Sequence, residues 1–71
     1  MMAELTKLDW QIVKTYADND MNMAETARLS FMHRNAIEYH LGKVKRHTGL
    51  DPKRFYDLVK LIERGNVNEM P

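Results

Sequence analysis

Apolar residues recur every three or four positions along this chain, in short segments separated by turn-forming residues. This helical spacing predicts an all-α fold. Helix-start and helix-stop residues divide the pattern into four helices, at about residues 6–18, 23–30, 33–48 and 52–64. The remaining tail, 66–71, is expected to fray.

Residues with known capping roles support these boundaries. Thr6 and Asp9 have the spacing of a capping box at the start of the first helix. Gly49 can supply the left-handed residue that ends the third helix. Asp51 followed by Pro52 predicts an acidic N-cap with proline at the first position of the fourth helix. The local signals therefore predict a compact four-helix domain.

A single domain over residues 1–71 has little room for a hydrophobic core. A chain this short buries only about 60% of the surface that its unfolded form exposes. It has no cysteine, so it has neither a disulfide framework nor a thiolate metal site. We therefore expect helix packing to supply the stability, with help from a second copy in a homodimer. The residues expected in the dimer interface are Trp10, Tyr56, Leu58, Leu61 and Ile62.

The sequence predicts neither a membrane segment nor a secretion signal. Glu4, Lys7 and Asp9 fall where a signal peptide needs an apolar run, and no apolar run approaches the roughly 18 residues of a membrane span. We expect a cytoplasmic protein. The histidines are spaced by seven residues, too far apart to share an ion. With no catalytic constellation either, we expect no enzyme, cofactor or metal.

Positive charge is concentrated in the third predicted helix. Four basic residues and one acidic residue between Phe31 and Thr48 give this segment a charge of +3. Since the whole chain carries +1, the rest of it carries −2. Such asymmetry indicates either an anionic partner or a basic face that is simply solvated.

The second and third predicted helices have the proportions of a helix-turn-helix, with a short helix, a tight turn and a longer basic helix. In that motif the second helix enters the major groove of DNA, where its first turns reach the bases and its later turns reach the backbone. The residues expected to contact bases are His33, Arg34, Asn35, Glu38 and Tyr39. The residues expected to contact the DNA backbone are Arg28, Gly42, Lys43, Lys45, Arg46, Lys53 and Arg54.

The segment TARLSFMHRNAIEYHLGKVKRHTGLD resembles the C-terminal DNA-binding domain of PucR-type regulators and, more distantly, the Fis-type helix-turn-helix. The resemblance covers roughly residues 22–51. The matching residues are Thr26-Ala27, His33-Arg34-Asn35, Tyr39, Leu41 and Thr48-Gly49-Leu50-Asp51. The resemblance implies an all-α domain whose third helix binds DNA in a transcriptional regulator.

These features together predict sequence-specific binding of double-stranded DNA by a small transcriptional regulator. The alternative is a helical protein–protein interaction module that partners a larger regulator and has little DNA affinity of its own. Glu38 within the recognition helix and the small net charge favour this alternative.

Overall fold

The computed structural model describes residues 4–69, with side chains for residues 4–65. Four α-helices follow one another along the chain: α1 (Lys7–Asp18), α2 (Met23–Ser30), α3 (Arg34–Thr48) and α4 (Phe55–Glu69). Residues 4–69 contain no β-strand, which confirms the predicted all-α class. The Cα radius of gyration, 11.2 Å, is close to the roughly 11 Å expected for a compact chain of this length. None of the described helices is long and apolar enough to cross a lipid bilayer.

Helix α1 lies at the centre of the packing. Its backbone is close to each of the other three helices, whereas α4 approaches only α1, and α2 and α3 also pack on each other. Helix α1 therefore separates α4 from the α2–α3 pair. The buried apolar side chains are Ile12, Val13, Tyr16, Ala27, Ile37, Leu41, Val44, Leu58 and Leu61. Since burying one large apolar side chain stabilises the fold by roughly 1.5–3 kcal/mol, this cluster is the main source of stability.

Short polar side chains cap the first two helices. The Thr6 hydroxyl accepts a hydrogen bond from the Asp9 N–H at 3.2 Å, and the Asp9 carboxylate accepts one from the Thr6 N–H at 2.7 Å, so the predicted capping box is present. Asn22 caps α2 by accepting from the Glu25 N–H. Each cap contributes about 1 kcal/mol of stability.

Helix α4 begins at Phe55, three residues after the predicted start at Pro52. The residues between them form a turn, in which Asp51 accepts hydrogen bonds from the backbone N–H groups of Lys53 and Arg54. Pro52 is buried in this turn. Asp51 therefore caps a turn that the buried proline ring holds against the core, and the helix starts only after it.

The far end of α4 packs closely on α1 at Gly65. A Cβ at this position would lie 3.1 Å from a ring carbon of Trp10, so glycine lets the indole lie against the α4 backbone. The sequence predicted that the helix ends before Gly65, but the helix continues to Glu69. The tail predicted to fray thus begins with a helical segment, 66–69, and its last two residues lie outside the described part of the chain.

The buried face of α4 is rotated from the one that spacing alone predicts, which groups Phe55 and Val59 with Leu58. Leu58 and Leu61 are 4% and 0% exposed, whereas Phe55 and Val59 are 61% and 39% exposed. The helix carries apolar residues on more than one stripe, and α1 covers only one of them. An apolar stripe is therefore left on the surface of α4.

Candidate nucleic-acid interface

The connection between α2 and α3 is built on a left-handed residue. The Met32 N–H donates to the Ala27 carbonyl at 3.0 Å and the Phe31 N–H donates to the Arg28 carbonyl at 3.3 Å, which is the pattern of a Schellman motif. Phe31 occupies its left-handed position, with φ 56° and ψ 41°. A residue with a Cβ pays about 1–2 kcal/mol for this conformation. The phenyl ring is nevertheless 95% exposed.

Helix α3 is capped at both ends and anchored along one face. The His33 ring is its N-cap, with Nδ1 accepting from the Asn35 N–H at 3.0 Å. Gly49, at φ 77°, ends the helix as predicted. The anchoring side chains are Ile37, Leu41 and Val44, all within the core. Local caps and tertiary packing thus fix the same helix.

The face of α3 opposite these anchors is polar and accessible. We call Asn35, Tyr39, Gly42 and Arg46 the α3 ridge. Asn35 and Arg46 are exposed, and Tyr39 is 59% exposed. A Cβ at Gly42 would lie 3.3 Å from Nη1 of Arg46, so the guanidinium lies across the glycine. A polyanion that approached Gly42 closely would meet this guanidinium first.

Two residues on the α1 side of α3 are held by a buried carboxylate. Nζ of Lys43 lies 3.0 Å from Oδ2 of Asp9, and Nδ1 of His40 lies 2.6 Å from Oδ1. The Asp9 side chain is fully buried, and that of Lys43 is only 12% exposed. With Thr6, which also donates to the carboxylate, these residues form the Asp9 cluster. Lys43 is therefore bound to α1 and does not lie on the exposed surface where the sequence placed it.

Asp9 is ionised at neutral pH despite its burial. Burial alone raises the pKa of Asp9, but hydrogen bonds from Thr6, His40 and Lys43 outweigh it, and the pKa falls from 3.8 to about 2. An ionised carboxylate can only accept hydrogen bonds, so Nδ1 of His40 carries the hydrogen in the 2.6 Å contact. The cluster thus links α1 to α3 through an ionised, buried carboxylate.

The opposite edge of α3 is tied to the turn that precedes α4. Lys53 forms an ion pair with Glu38, and Nζ of Lys45 lies 3.7 Å from the Asp51 carboxylate. These pairs are partly exposed, so each contributes at most about 1 kcal/mol. Glu38 is engaged by Lys53 and not by Arg34, its neighbour one helical turn earlier.

The remaining basic side chains near α3 differ in their pairing. Arg28 is bound by both carboxylate oxygens of Glu25, at 2.7 and 2.8 Å. Arg34, Arg46 and Arg54 are exposed and have no acidic partner among the described side chains. Among the basic side chains near α3, these three arginines are therefore the most available to an external anion.

Only part of the predicted dimer interface is on the surface. Leu58 and Leu61 belong to the core, and Trp10 and Ile62 are partly buried against it. Tyr56 is 78% exposed. Leu58 and Leu61 are unavailable to a second copy because they already pack within their own chain.

Asp9 and His40 were not among the predicted site residues, although the sequence contains an indication of the Asp9 cluster. Asp9 precedes Ile12, Val13 and Tyr16 by three, four and seven positions, so it lies on the buried stripe of α1. A carboxylate on such a stripe needs donors or opposite charges because burying it alone is costly. The spacing that marks the core face thus also marked a buried charged site.

Comparison with protein families identifies this architecture, although comparison with curated proteins and with solved structures found no match. The family model matches residues 9–62. This range begins at Asp9 and includes the α2–α3 connection, all of α3 and the first half of α4. Helix-turn-helix domains are a class of DNA-binding module. The chain belongs to the family of PucR C-terminal helix-turn-helix domains.

Proposed function

We propose that this protein binds double-stranded DNA sequence-specifically, with α3 in the major groove, and acts as a small regulator of transcription. The observation that carries the proposal is the α3 ridge, an exposed polar helix face whose opposite face is anchored in the core. Family membership supports the same role. The one acidic residue of α3, Glu38, is neutralised by Lys53 and does not set an unpaired charge against DNA.

The order of side chains along α3 suits the depth of the groove. A helix of 15 residues is about 22 Å long, and mainly its first turns reach the base edges. Arg34 and Asn35 lie in the first turn, where arginine can pair with guanine O6/N7 and asparagine with adenine N6/N7. Tyr39 follows one turn later and can donate to a phosphate. Arg34 and Asn35 are therefore the proposed base-contacting residues.

Backbone contacts come from the later part of α3 and the turn after it. Arg46 and Arg54 have no described acidic partner, and the loose pair between Lys45 and Asp51 can give way to a phosphate. Lys43 is left out because the Asp9 cluster holds it. The proposal therefore assigns three phosphate contacts to each protomer: Lys45, Arg46 and Arg54.

The salt dependence of DNA binding tests this assignment. With about three phosphate contacts, log K should fall with log salt at a slope of about −3 per protomer. Lys45→Gln should flatten the slope by about one, because one fewer counterion is released. Lys60→Gln is the matched control, since Lys60 is also exposed but lies on α4. Fluorescence anisotropy with a labelled random-sequence duplex gives both slopes.

Two results would contradict the proposal. If Lys45→Gln and Lys60→Gln give the same slope, the later part of α3 does not contact phosphate. If the unmodified protein binds no duplex even at low salt, the domain is better explained as a protein-interaction module that partners a larger regulator.

The proposed DNA-binding form is a homodimer that pairs through the exposed stripe of α4. The stripe carries Phe55, Tyr56 and Val59. It borders a largely apolar groove of about 430 Å³ between α1 and α4, which can receive side chains of a second copy. Because α1 separates α4 from the α2–α3 pair, this pairing leaves both α3 ridges open. A two-fold dimer would bind half-sites about 34 Å apart, or a multiple of that distance.

Sedimentation equilibrium tests the dimer at micromolar concentrations. The unmodified chain should sediment as a dimer, and Val59→Lys should convert it to a monomer by burying a charge in the interface. Leu29→Lys is the control, because Leu29 is 43% exposed, close to the 39% of Val59, but lies on α2. A monomeric unmodified chain, or equal behaviour of the two variants, would refute pairing through α4.

A further inference from the structure

Phe31 has two features that are unfavourable for the isolated domain. Among the large apolar side chains of the described residues it is the most exposed, at 95%, ahead of Tyr56 at 78%. It is also a bulky residue with a left-handed backbone, at φ 56°. Glycine or asparagine would serve the Schellman motif better, because both adopt this conformation more readily. The fold therefore gives no reason for a phenylalanine at this position.

The surroundings of Phe31 favour an anionic partner. His33, the N-cap of α3, is two residues further on, so the two Cα atoms are at most about 7.6 Å apart. The next exposed side chains are those of Arg34 and Asn35, and the segment from Phe31 to Ile37 contains no acidic residue. The exposed ring thus adjoins the start of the helix assigned to the major groove. The exposed apolar residues of α4 instead have Glu63 beside them.

We propose that Phe31 is an apolar DNA contact, whose ring packs on deoxyribose and thymine methyl groups at the edge of the groove that receives α3. This inference rests on the proposed function and adds a residue to it. Thymine methyl groups are the apolar feature of the major groove, and phenylalanine is one of the side chains that contact them. The exposed ring would lose its contact with water on binding, and the burial of this apolar surface would stabilise the complex.

An uncharged contact has a distinctive signature. Phosphate contacts release counterions and set the slope of log K against log salt. The Phe31 ring releases none, so its removal should lower the affinity equally at every salt concentration. This separates Phe31 from Lys45, whose replacement should flatten the slope.

The test is Phe31→Asn in the full chain. Asparagine tolerates the left-handed backbone, so the melting temperature should not fall. Affinity for a labelled random-sequence duplex should fall about 5- to 20-fold, as expected for the loss of one partly buried aromatic contact. The slope against salt should match that of the unmodified protein between about 50 and 200 mM salt. Leu29→Asn, which removes an exposed apolar side chain two residues earlier, should leave the affinity within about twofold.

Three results would overturn the inference. An unchanged affinity of Phe31→Asn, alongside normal binding by the unmodified protein, would show that the ring does not touch DNA. A flattened salt slope would show that the substitution acts through displaced phosphate contacts. If the unmodified protein binds no duplex, the proposed function fails first and this inference fails with it.

Discussion

Replacing Asp9 with alanine should lower the free energy of unfolding by about 3–5 kcal/mol, because the buried side chains that contact its carboxylate would lose this partner. The side chains of His40 and Lys43 are only 16% and 12% exposed, so neither can simply turn to water. The Thr6 N–H loses its acceptor as well. A domain of this size has a total stability of roughly 4–10 kcal/mol, so the variant should be largely unfolded at moderate temperature.

A surface ion pair on the same helix provides the control. Asp18 accepts from Lys14 at 3.0 Å, but the two side chains are 60% and 52% exposed. Asp18→Ala should therefore lower the free energy of unfolding by less than about 1 kcal/mol. Urea unfolding followed by circular dichroism compares the two variants. Equal losses of stability would show that the Asp9 cluster does not stabilise the fold beyond an ordinary surface pair.

The Asp9 cluster also predicts a loss of stability in acid. A carboxyl group whose pKa is lowered by folding stabilises the folded state above its unfolded pKa, and this contribution disappears as the pH falls through the folded pKa. For Asp9 the window runs from 3.8 down to about 2, and the contribution lost across it is about 2 kcal/mol. Asp9→Asn has no such group. We therefore compare the unfolding free energies of Asp9→Asn and the unmodified protein. Their difference should shrink by about 2 kcal/mol as the pH falls through this window. A constant difference would contradict the lowered pKa of Asp9.

Features that depend on neighbours in the sequence were predictable. The all-α class and the end of α3 at Gly49 follow from apolar spacing and from one capping residue. The buried face of α3 follows from the positions of Ile37, Leu41 and Val44. These predictions hold because a helix cap and a helix face are set within a few residues of the chain, so the sequence contains all the groups that interact.

Features that depend on a distant partner were not predictable in the same way. A helical projection places Lys43 near the polar face, and nothing within α3 shows that Asp9, 34 residues earlier, binds it. On α4, apolar residues lie on more than one stripe, and only the position of α1 decides that Leu61 is buried and Phe55 exposed. The predicted start of α4 at Pro52 is wrong for a similar reason. Pro52 lies in the turn before the helix, and its burial there depends on tertiary packing.

The second large effect is expected at the start of α3. Arg34→Ala or Asn35→Ala should weaken binding to the best DNA site by about 1–3 kcal/mol and relax the preference at one base pair. Two contacts in the structure add support for assigning base contacts to Arg34 and Asn35. The N-cap role belongs to His33, so the Asn35 side chain is not needed to begin the helix. Glu38 is paired with Lys53, so it does not hold the Arg34 guanidinium away from a guanine.

The contrast with a phosphate contact is the decisive measurement. Lys45→Ala should weaken specific and random DNA by the same factor, because a phosphate contact carries no sequence information. Arg34→Ala and Asn35→Ala should reduce the ratio of specific to random affinity, which selection of bound fragments from a random pool would measure. If all three variants changed this ratio equally, the first turn of α3 would not differ from its last turn in the groove. The helix would then lie along the DNA backbone instead of pointing into the major groove with its first turn.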